Sequence, residues 1–492
     1  MQGIERMGFL ICGLAVFFAT QAVMGNDEAL KRDLRDFLKE TVQNHQIVGL
    51  TIGVVKDDRV VYLDAFGSTK LDAGQPLKPE NLFHFASVSK PFVATAVMQL
   101  VEQGKMSLNH PITRYLPYFK LDDPRYKDIT VLHVLNHTSG MPDVDDYQWD
   151  KPEWDEGAAE RFVRGMAGEK MLSDPGSKYR YSNMAFDMMG DVIAKVSGMS
   201  FEEYVKKNIL APLEMKESNF LYHQTSEDLR TSGHTWMLKP IATPYYPYNR
   251  RHAPSSTLNS SVVEMTHWMK ANLNHGAWGK HRILSQKNHE ILWKPSFSIR
   301  EARSVGLSWS LREYRGMQTV SHNGSDDGYV STLTMIPEKK LGVVMVSNYD
   351  NAPIGGLLKG VLDILSGYKP ERVKLAVLKP FACAYLNDGL DAAKVLYNDL
   401  KTNHPHEYRF GPDQMNNLGY FLVSKGQASK ALPLFHFNTE LFPKDANCWD
   451  SLGACYLTLG DGDKAASFFR KALEIDPQLQ SSIQALKKIN QE

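Results

Sequence analysis

The chain has 492 residues, which is too long for one hydrophobic core, so we expect two or more domains. Hydrophobic residues make up 43% of it and charged residues 23%, as is ordinary for globular proteins. Its 56 basic and 56 acidic side chains balance, which argues against nucleic acid or another polyanion as a partner.

The N-terminus carries an apolar run from Met7 to Met24, preceded by Arg6 and followed by polar residues. This pattern predicts a secretory signal peptide over residues 1–25, cleaved after Gly25. The run is also long enough for an uncleaved membrane anchor. We therefore expect an exported protein that is periplasmic or secreted, or held at a membrane by this segment.

Three cysteines follow that segment, Cys383, Cys448 and Cys455. Three thiols do not form a paired disulfide framework, and we interpret the last two as core thiols of a helix. The sixteen histidines show no metal-ligand spacing. The sequence thus predicts neither a metal nor another cofactor.

The first predicted elements are a helix over 27–44 and a β-hairpin with strands at 48–55 and 60–67. Ser87 and Lys90 then open an apolar run typical of a buried helix. Positions i and i+3 share one helix face, so both side chains can point into one site.

A helix that begins near Ser87 would place its unpaired N–H groups where an oxyanion forms. The positive end of that helix would also favour a neutral, proton-accepting Lys90. Ser87 is then a candidate nucleophile with Lys90 as its base. The pattern is weak by itself, since most Ser-x-x-Lys pairs lie on a solvated helix face.

Between about 110 and 300 helical spacing dominates and regular strands are scarce, which predicts a helical, loop-rich insertion. Its segment 244–248, Pro-Tyr-Tyr-Pro-Tyr, either lines a substrate cleft or forms a surface loop that packs on itself. Before a helical run at 184–196, a polar loop contains Tyr181 and Asn183. Tyr181 can relay the nucleophile's proton and Asn183 can orient a substrate; alternatively, the tyrosine packs at a helix entry that the asparagine caps.

Strand patterns return after residue 304, at 305–311, 318–322, 329–336 and 341–347, and a helix at 353–365 closes the domain. Strands at both ends with helices between them predict one antiparallel sheet assembled from both ends of the domain.

The segment from His322 to Ser325 lies between two of these strands. Gly324 lets a backbone approach a ligand closely, and the N–H of Ser325 can be a second oxyanion donor. His322 can bind a substrate carboxylate or carbonyl. Alternatively, His-Asn-Gly-Ser forms an ordinary strand-ending turn.

Ser87-x-x-Lys90, Tyr181-x-Asn183 and His322-x-Gly324 occur in the order and rough spacing of the three site motifs of serine β-lactamase-like hydrolases. This family includes class C β-lactamases, DD-peptidases, D-aminopeptidases and related esterases. The chain resembles it from about 45 to 366, and flanking segments agree as well, at 137–142, 175–176, 179–183 and 198–202.

The resemblance implies an α+β fold of the β-lactamase/transpeptidase type, an antiparallel sheet flanked by helices with a helical insertion. It implies Ser87 as the acylated nucleophile, with Lys90 and Tyr181 sharing the base role and Tyr181 protonating the leaving group. It also implies that Asn183 positions the substrate and that the N–H groups of Ser87 and Ser325 form the oxyanion hole.

One departure concerns the lysine of the Lys-Thr-Gly motif, which the penicillin-processing branch usually carries where this chain has His322. A histidine offers a charge to a carboxylate only when it is protonated. This difference favours an esterase or peptidase over an efficient β-lactamase. The sequence identifies no deacylating glutamate, so a class A mechanism is not supported.

The C-terminal part repeats with a period of 34, in which Leu418-Gly419 aligns with Leu452-Gly453 and Pro443 with Pro477. The pattern looks like tetratricopeptide repeats, with 382–400 as a degenerate first unit. Such a domain either binds a peptide or protein partner or serves as a stabilising or dimerising appendage.

The predicted domains are a signal peptide or anchor (1–25), a β-lactamase-like domain (26–368), a linker (369–379) and an all-α repeat domain (380–492). The leading hypothesis is an exported serine hydrolase that acts through a Ser87 acyl-enzyme on a small ester or amide, with a D-amino-acid peptide or a β-lactam left open as the substrate. A non-catalytic β-lactamase-like protein that recruits a partner through its repeats is the alternative, and a scaffold acting through the repeats alone is a weaker third.

Overall fold

The structure is a computed structural model, and it describes residues 27–72, 74–237 and 239–490. The predicted signal peptide or anchor lies outside the described residues. Within them, no helix is long and apolar enough to cross a membrane. The described residues divide into two compact units, one formed by residues up to Trp236 together with Pro240–Glu371 and the other by residues between these two segments together with those from Arg372 onward.

The strands up to residue 371 are, in chain order, β1 (Gly49–Lys56), β2 (Arg59–Gly67), β3 (Phe83–His84), β4 (His234–Met237), β5 (Lys239–Ala242), β6 (Asn259–Ser260), β7 (Ala277–Trp278), β8 (His281–Arg282), β9 (Phe297–Arg300), β10 (Arg303–Val305), β11 (Ser310–Tyr314), β12 (Met317–Asp326), β13 (Tyr329–Ile336) and β14 (Leu341–Ser347).

The helices of the same part are α1 (27–45), α2 (Lys90–Glu102), α3 (Val131–Leu135), α4 (Ala158–Gly165), α5 (Asn183–Ser197), α6 (Phe201–Val205), α7 (Ala253–Ser256), α8 (Val262–Leu273), α9 (Gln286–Trp293) and α10 (Ile354–Leu365). Short 3₁₀ turns join several of them, and the one at Ala86–Ser89 leads directly into α2.

Eight strands form one sheet in the order β2-β1-β14-β13-β12-β11-β10-β9, and every neighbouring pair is antiparallel. The first hairpin of the chain thus pairs with the last long strand, β14. This confirms the predicted sheet assembled from both ends of the domain. The strands β1, β13 and β14 are buried almost throughout on both faces, as central strands of a sheet covered on both sides are.

Each face of the sheet is covered by a separate apolar cluster. On one face Leu34 and Leu38 of α1 and Leu357 and Val361 of α10 pack on the sheet. On the other face lies the core of the helical insertion, which includes Trp268 of α8 stacked on Phe92 of α2. The helix α2 is buried from Lys90 to Leu100, as its apolar run predicts.

The predicted strand over 305–311 is wrong, because the chain turns in its middle. Between β10 and β11 the backbone of Gly306 lies so close to Leu292 that a Cβ would come within 2.3 Å of the Leu292 oxygen. Ser308 then adopts a left-handed conformation with φ of 72°. Apolar content alone does not reveal such a turn, and the sequence also did not predict β9.

The second unit consists of helices and one short parallel pair, β15 (Leu375–Ala376) and β16 (Tyr408–Arg409). Its helices are α11 (Leu378–Asp388), α12 (Leu390–Asn403), α13 (Pro412–Ser424), α14 (Ala428–Leu441), α15 (Ala446–Thr458), α16 (Gly462–Ile475) and α17 (Gln480–Ile489).

The predicted period of 34 is visible in how these helices pair. Gly419 of α13 faces the ring of Phe435, and Gly453 of α15 faces the ring of Phe469, so that the same small-to-large contact recurs one repeat later. In each pair the glycine lets a phenylalanine ring approach the neighbouring helix.

Candidate active site

Ser87 lies in the 3₁₀ turn that precedes α2, so the regular helix begins at Lys90 rather than at the serine. Residues three apart eclipse each other in a 3₁₀ turn, and the Lys90 Nζ accordingly lies 3.0 Å from the Ser87 Oγ. Ala86, just before the serine, has a φ of 49°, an uncommon conformation for a non-glycine residue that is often found at functional sites.

Hydrogen bonds from distant segments hold this turn in place. The Phe85 N–H donates to the Leu258 carbonyl (2.8 Å), and the Ser331 hydroxyl donates to the Phe85 carbonyl (2.8 Å). The Ser89 hydroxyl donates to the Ala86 carbonyl (2.7 Å) and accepts from the Leu258 N–H (2.9 Å). Ser89 is therefore a structural serine, whereas the partly exposed Ser87 is accessible.

Lys90 is fully buried beneath the serine. Its Nζ donates to the Ser255 carbonyl at 2.8 Å and lies 4.9 Å from the centre of the Tyr181 ring. Burial lowers the pKa of Lys90 to about 8, and the nearby Asp187 carboxyl acts in the opposite direction. A substantial share of the Lys90 amines is thus uncharged slightly above pH 7, and only an uncharged amine can act as a base.

Tyr181 lies near Ser87 in the loop before α5, and the interaction with the serine hydroxyl lowers the tyrosine pKa, against the larger effect of burial. Its ring stacks on His137, with ring centres 4.2 Å apart. Burial raises the pKa of Tyr181 well above its usual value, so the side chain is a phenol at neutral pH. His137 is itself fixed, because its Nδ1 accepts the Ser182 N–H at 3.3 Å.

Asn183 is the first residue of α5, and the cap of that helix is Ser182, whose hydroxyl accepts the Ala185 N–H. The capping role suggested for Asn183 is therefore wrong. Asp143 holds the asparagine by accepting its backbone N–H (2.6 Å) and its Nδ2 (3.3 Å). The buried Asn183 Oδ1 has no hydrogen-bond partner among the described residues and is free to accept one.

The segment His322–Ser325 lies inside β12, since the strand continues to Asp326 and all four residues pair with β13. The alternative of a strand-ending turn is therefore wrong. β11 pairs with β12 only as far as Ser321, which leaves the outer edge of β12 open beyond it. Alternate N–H groups of an antiparallel strand face such an edge, where a substrate can accept their hydrogen bonds.

Gly324 brings this edge against the turn that carries the serine. A Cβ at Gly324 would come within 3.0 Å of the Ala86 Cβ, so only a glycine permits the contact. Ser325 follows directly and therefore lies beside the turn, as the predicted second oxyanion donor must.

His322 lies near Tyr181, and the centres of their rings are 6.5 Å apart. Its Nδ1 lies 2.8 Å from the Asn323 carbonyl, which can only accept, so the Nε2 of the neutral ring is an acceptor. Burial and the nearby Lys90 lower the pKa of His322 to about 3. A neutral acceptor does not attract a carboxylate or donate to a carbonyl; it fits a substrate N–H or O–H instead.

Behind Lys90 lies a buried pair that the sequence did not predict. The His252 Nδ1 and the Asp187 Oδ2 are 2.7 Å apart, and neither side chain is exposed. The other oxygen of Asp187 accepts the Ser255 N–H at 3.2 Å. Since the Ser255 carbonyl binds Lys90, this pair fixes the backbone that positions the lysine.

Two tyrosines of the segment 244–248 pack on aromatic rings elsewhere in the chain, and the idea that the segment lines a substrate cleft stays a prediction. Tyr246 stacks on Tyr222 with ring centres 3.9 Å apart, and the buried Tyr248 stacks on Trp154. Among the described residues no group of histidine, cysteine, aspartate and glutamate side chains is arranged to hold a metal ion.

The fold and the arrangement of the site are those of the serine β-lactamase type. The chain matches the family described as Beta-lactamase over residues 34–358, and it belongs to that family. A Tetratricopeptide repeat matches residues 446–479. Both findings confirm the resemblance on which the sequence-based fold prediction rests.

Two curated relatives show the extent of this similarity. Protein flp of Staphylococcus aureus (strain MRSA252) is 24% identical over 352 residues, which cover 71% of this chain and 69% of that protein. Penicillin-binding protein 4* of Bacillus subtilis (strain 168) is 25% identical over 398 residues, covering 74% of this chain and 85% of that protein.

Among solved structures, the octameric penicillin-binding protein homologue from Pyrococcus abyssi superposes with a TM-score of 0.61 at 28% identity. The match covers 69% of this chain and 78% of that one. At the level of the family, the chain is therefore a serine hydrolase of the β-lactamase and penicillin-binding-protein type.

Proposed function

We propose that this protein is an exported hydrolase that cleaves a small ester or amide through an acyl-enzyme on Ser87. The observation that carries the proposal is the buried Lys90 Nζ, 3.0 Å from the Ser87 Oγ, with its pKa lowered to about 8. A neutral amine at that distance can take the serine proton as the hydroxyl attacks a carbonyl. Export is supported by the apolar N-terminal segment of the sequence.

In the proposed first step, the Ser87 Oγ bonds to the substrate carbonyl carbon while its proton passes to Lys90. The N–H groups of Ser87 and Ser325 stabilise the oxyanion. Tyr181, as a phenol, donates its proton to the departing alcohol or amine and regains one from Lys90. Water then attacks the acyl-enzyme, with the same groups acting in the reverse direction.

Substrate positioning is assigned to the unpartnered Oδ1 of Asn183 and to the Nε2 of His322, both acceptors. They suit a substrate with N–H or O–H groups near its scissile bond, as in a D-amino-acid peptide or amide. The neutral state of His322 favours an esterase or peptidase over an efficient β-lactamase, since it supplies no fixed charge to a β-lactam carboxylate.

The test compares wild type, Ser87→Ala and Ser366→Ala on p-nitrophenyl esters, nitrocefin and D-amino-acid p-nitroanilides. We expect turnover of esters or amides by wild type and by Ser366→Ala, and none by Ser87→Ala. Intact mass after fluorophosphonate treatment should show one adduct that depends on Ser87. An adduct of equal yield on Ser87→Ala would contradict the proposal.

The repeat match over 446–479 favours a second function, the binding of a protein partner by the C-terminal unit. If partner recruitment were the whole function, Ser87→Ala would retain full biological activity and wild type would hydrolyse no substrate of the panel. That pair of results would replace the hydrolase by a β-lactamase-like binding protein.

A further inference from the structure

A buried histidine–aspartate pair, His84 and Asp326, lies beside the candidate site. The His84 Nε2 lies 2.7 Å from the Asp326 Oδ2. The His84 side chain is fully buried, and that of Asp326 is only one-tenth exposed. The two residues are 242 positions apart in sequence, so only the folded chain brings them together.

Each member of the pair belongs to a segment that carries one proposed oxyanion donor. His84 ends β3 and lies three residues before Ser87. Asp326 ends β12 and directly follows Ser325. The pair is therefore a side-chain bond between the two segments whose N–H groups must converge on one substrate oxygen.

This bond lies next to the backbone contact between Gly324 and the serine turn. Side chains at alternate positions of a strand lie on one face, so positions 324 and 326 of β12 face the same way. Gly324 lies against the backbone of Phe85, and Asp326 reaches the neighbouring His84. The first contact limits how closely the two segments approach, and the second opposes their separation.

The surroundings of His84 hold its ring in one orientation. The ring lies near Tyr246 and Tyr329, with ring centres 5.7 Å apart in both cases. Its backbone pairs with Asn259 across β3 and β6. Tyr329 also pairs with Asp326 across β12 and β13, so the same tyrosine borders both members of the pair.

The hydrogen bond between the two side chains has a defined direction. A carboxylate only accepts, so the His84 Nε2 donates to Asp326. The buried Nδ1 of His84 has no hydrogen-bond partner among the described residues, and a proton there would lack an acceptor. The tautomer with its proton on Nε2 is therefore the one that fits this site. Bonds to a charged acceptor are about twice as strong as neutral ones.

We propose that His84 and Asp326 are positioning residues, whose hydrogen bond sets the spacing of the two oxyanion donors. The inference rests on the proposed hydrolase function and adds two residues to the support of its site. Without the bond, the edge of β12 and the serine turn can separate, which weakens the hold on the oxyanion. Because the oxyanion forms only during the reaction, the loss should lower kcat more than it raises KM.

The first test compares two replacements of His84 on the ester that wild type cleaves best. His84→Phe keeps an aromatic ring but cannot donate, whereas the amide of His84→Gln can donate from nearly the same place. We expect kcat of His84→Phe to fall about tenfold or more, since a hydrogen bond to a charged group is worth that factor. His84→Gln should recover most of the loss. An equal loss in both variants would overturn the proposal.

His289 of α9 supplies a matched control outside the candidate site. Its side chain is also buried, its Nε2 lies 3.1 Å from the Asn272 Oδ1, and its Nδ1 likewise has no partner among the described residues. His289→Phe should therefore lower the melting temperature about as much as His84→Phe does, but leave kcat unchanged. A similar fall in kcat in both variants would show a general loss of packing and overturn the positioning role.

Asp326 should act through the same bond. Asp326→Asn keeps an acceptor oxygen and should retain most of kcat, whereas Asp326→Ala should lose as much as His84→Phe. The kcat values are compared on the alkaline plateau of the pH profile, because Asp326 also raises the pKa of Lys90. The double variant His84→Phe/Asp326→Ala should lose no more than either single variant. Additive losses would mean that the two residues act independently and would contradict the pair.

The second test needs no turnover. Hydrogen–deuterium exchange in peptides that span 84–90 and 322–328 should be faster in His84→Phe than in wild type, and close to wild type in His84→Gln. Unchanged exchange in His84→Phe would overturn the role of the pair.

The two proposals fail separately. If wild type hydrolyses no ester or amide, the hydrolase proposal is wrong, and hydrogen exchange still decides whether the pair joins the two segments. If wild type is active and His84→Phe keeps its full kcat, hydrolysis stands and the positioning role is wrong. Thermal melts of each variant confirm that it is folded at the assay temperature.

Discussion

Gly324 lies against the carbonyl oxygen of Phe85, so close that a Cβ on the glycine would come within 2.2 Å of that oxygen. The same oxygen accepts the Ser331 hydroxyl from the neighbouring strand. Two segments almost 240 residues apart in sequence thus meet through their backbones. This contact sets the distance between the Ser87 turn and the edge of β12, on which the proposed oxyanion hole depends.

Gly324→Ala should therefore separate β12 from the turn and remove the Ser325 N–H from the oxyanion. We expect kcat/KM to fall by roughly 10²–10³, the usual effect of losing one oxyanion donor. Gly355→Ala is the matched control, because a Cβ there meets nothing within 4 Å. Unchanged kinetics of Gly324→Ala, measured on the same ester, would show that the contact does not shape the site.

The activity should rise with pH through about 8. Burial lowers the pKa of Lys90 from 10.5 to about 8, so the neutral base accumulates as pH passes that value. Lys90→Arg keeps the charge at every accessible pH and should lower kcat/KM by about 10²–10⁴ across the whole profile. The exposed Lys39→Arg serves as control, and a rate that falls between pH 7 and 9 would exclude Lys90 as the base.

Burial of the charged form of Lys90 should also destabilise the folded protein at pH values below the pKa that this lysine has in the folded state. Between pH 8 and 10.5 the unfolded chain binds a proton at Lys90 that the folded protein does not, so stability rises with pH in this window. Lys90→Met should stabilise the protein by about 1–3 kcal/mol at pH 7, and the gain should vanish above pH 10.5. Thermal melts of this variant and of Lys39→Met at both pH values check the prediction.

Asp187→Asn should change both the position and the pKa of Lys90, because it removes the charge of the Asp187–His252 pair. We expect a loss of about 1–3 kcal/mol of stability, because the contacts with His252 and Ser255 weaken. The pH midpoint of kcat/KM should also move to lower pH, since Asp187 raises the pKa of Lys90.

Asp191→Asn, one turn further along α5, is the control for this variant. Its carboxyl is also buried and accepts the Tyr118 hydroxyl at 2.6 Å, so its loss should cost similar stability. It is not among the charges that act on Lys90, and the midpoint should stay in place. A purely structural Asp187 would behave like Asp191 in both measurements.

Asp143→Ala should loosen Asn183, whose backbone and side-chain amides it binds. Because the asparagine is proposed to position the substrate, KM should rise several-fold, with a smaller change in kcat. Asp145→Ala removes an exposed carboxyl two residues away and should change neither constant. A fall in kcat alone would instead assign Asp143 to the chemistry.

The sequence by itself determined the class of fold and the order of the site motifs. Alternating and continuous apolar runs revealed the terminal hairpin, α2 and the strands β13 and β14, because burial of these segments demands apolar residues at fixed local spacing. The 34-residue period revealed the repeats in the same way, through small residues such as Gly419 and Gly453 that admit a phenylalanine ring.

Only the tertiary structure decided the chemistry around Ser87. The pKa of Lys90 depends on burial under segments that lie far away in sequence, and its second partner is a backbone carbonyl of Ser255, which no side-chain motif reveals. Asp187 and His252, like His84 and Asp326, meet only once helices or strands are packed. Local spacing encodes secondary structure, whereas desolvation and charge are set by what the folded chain brings together in space.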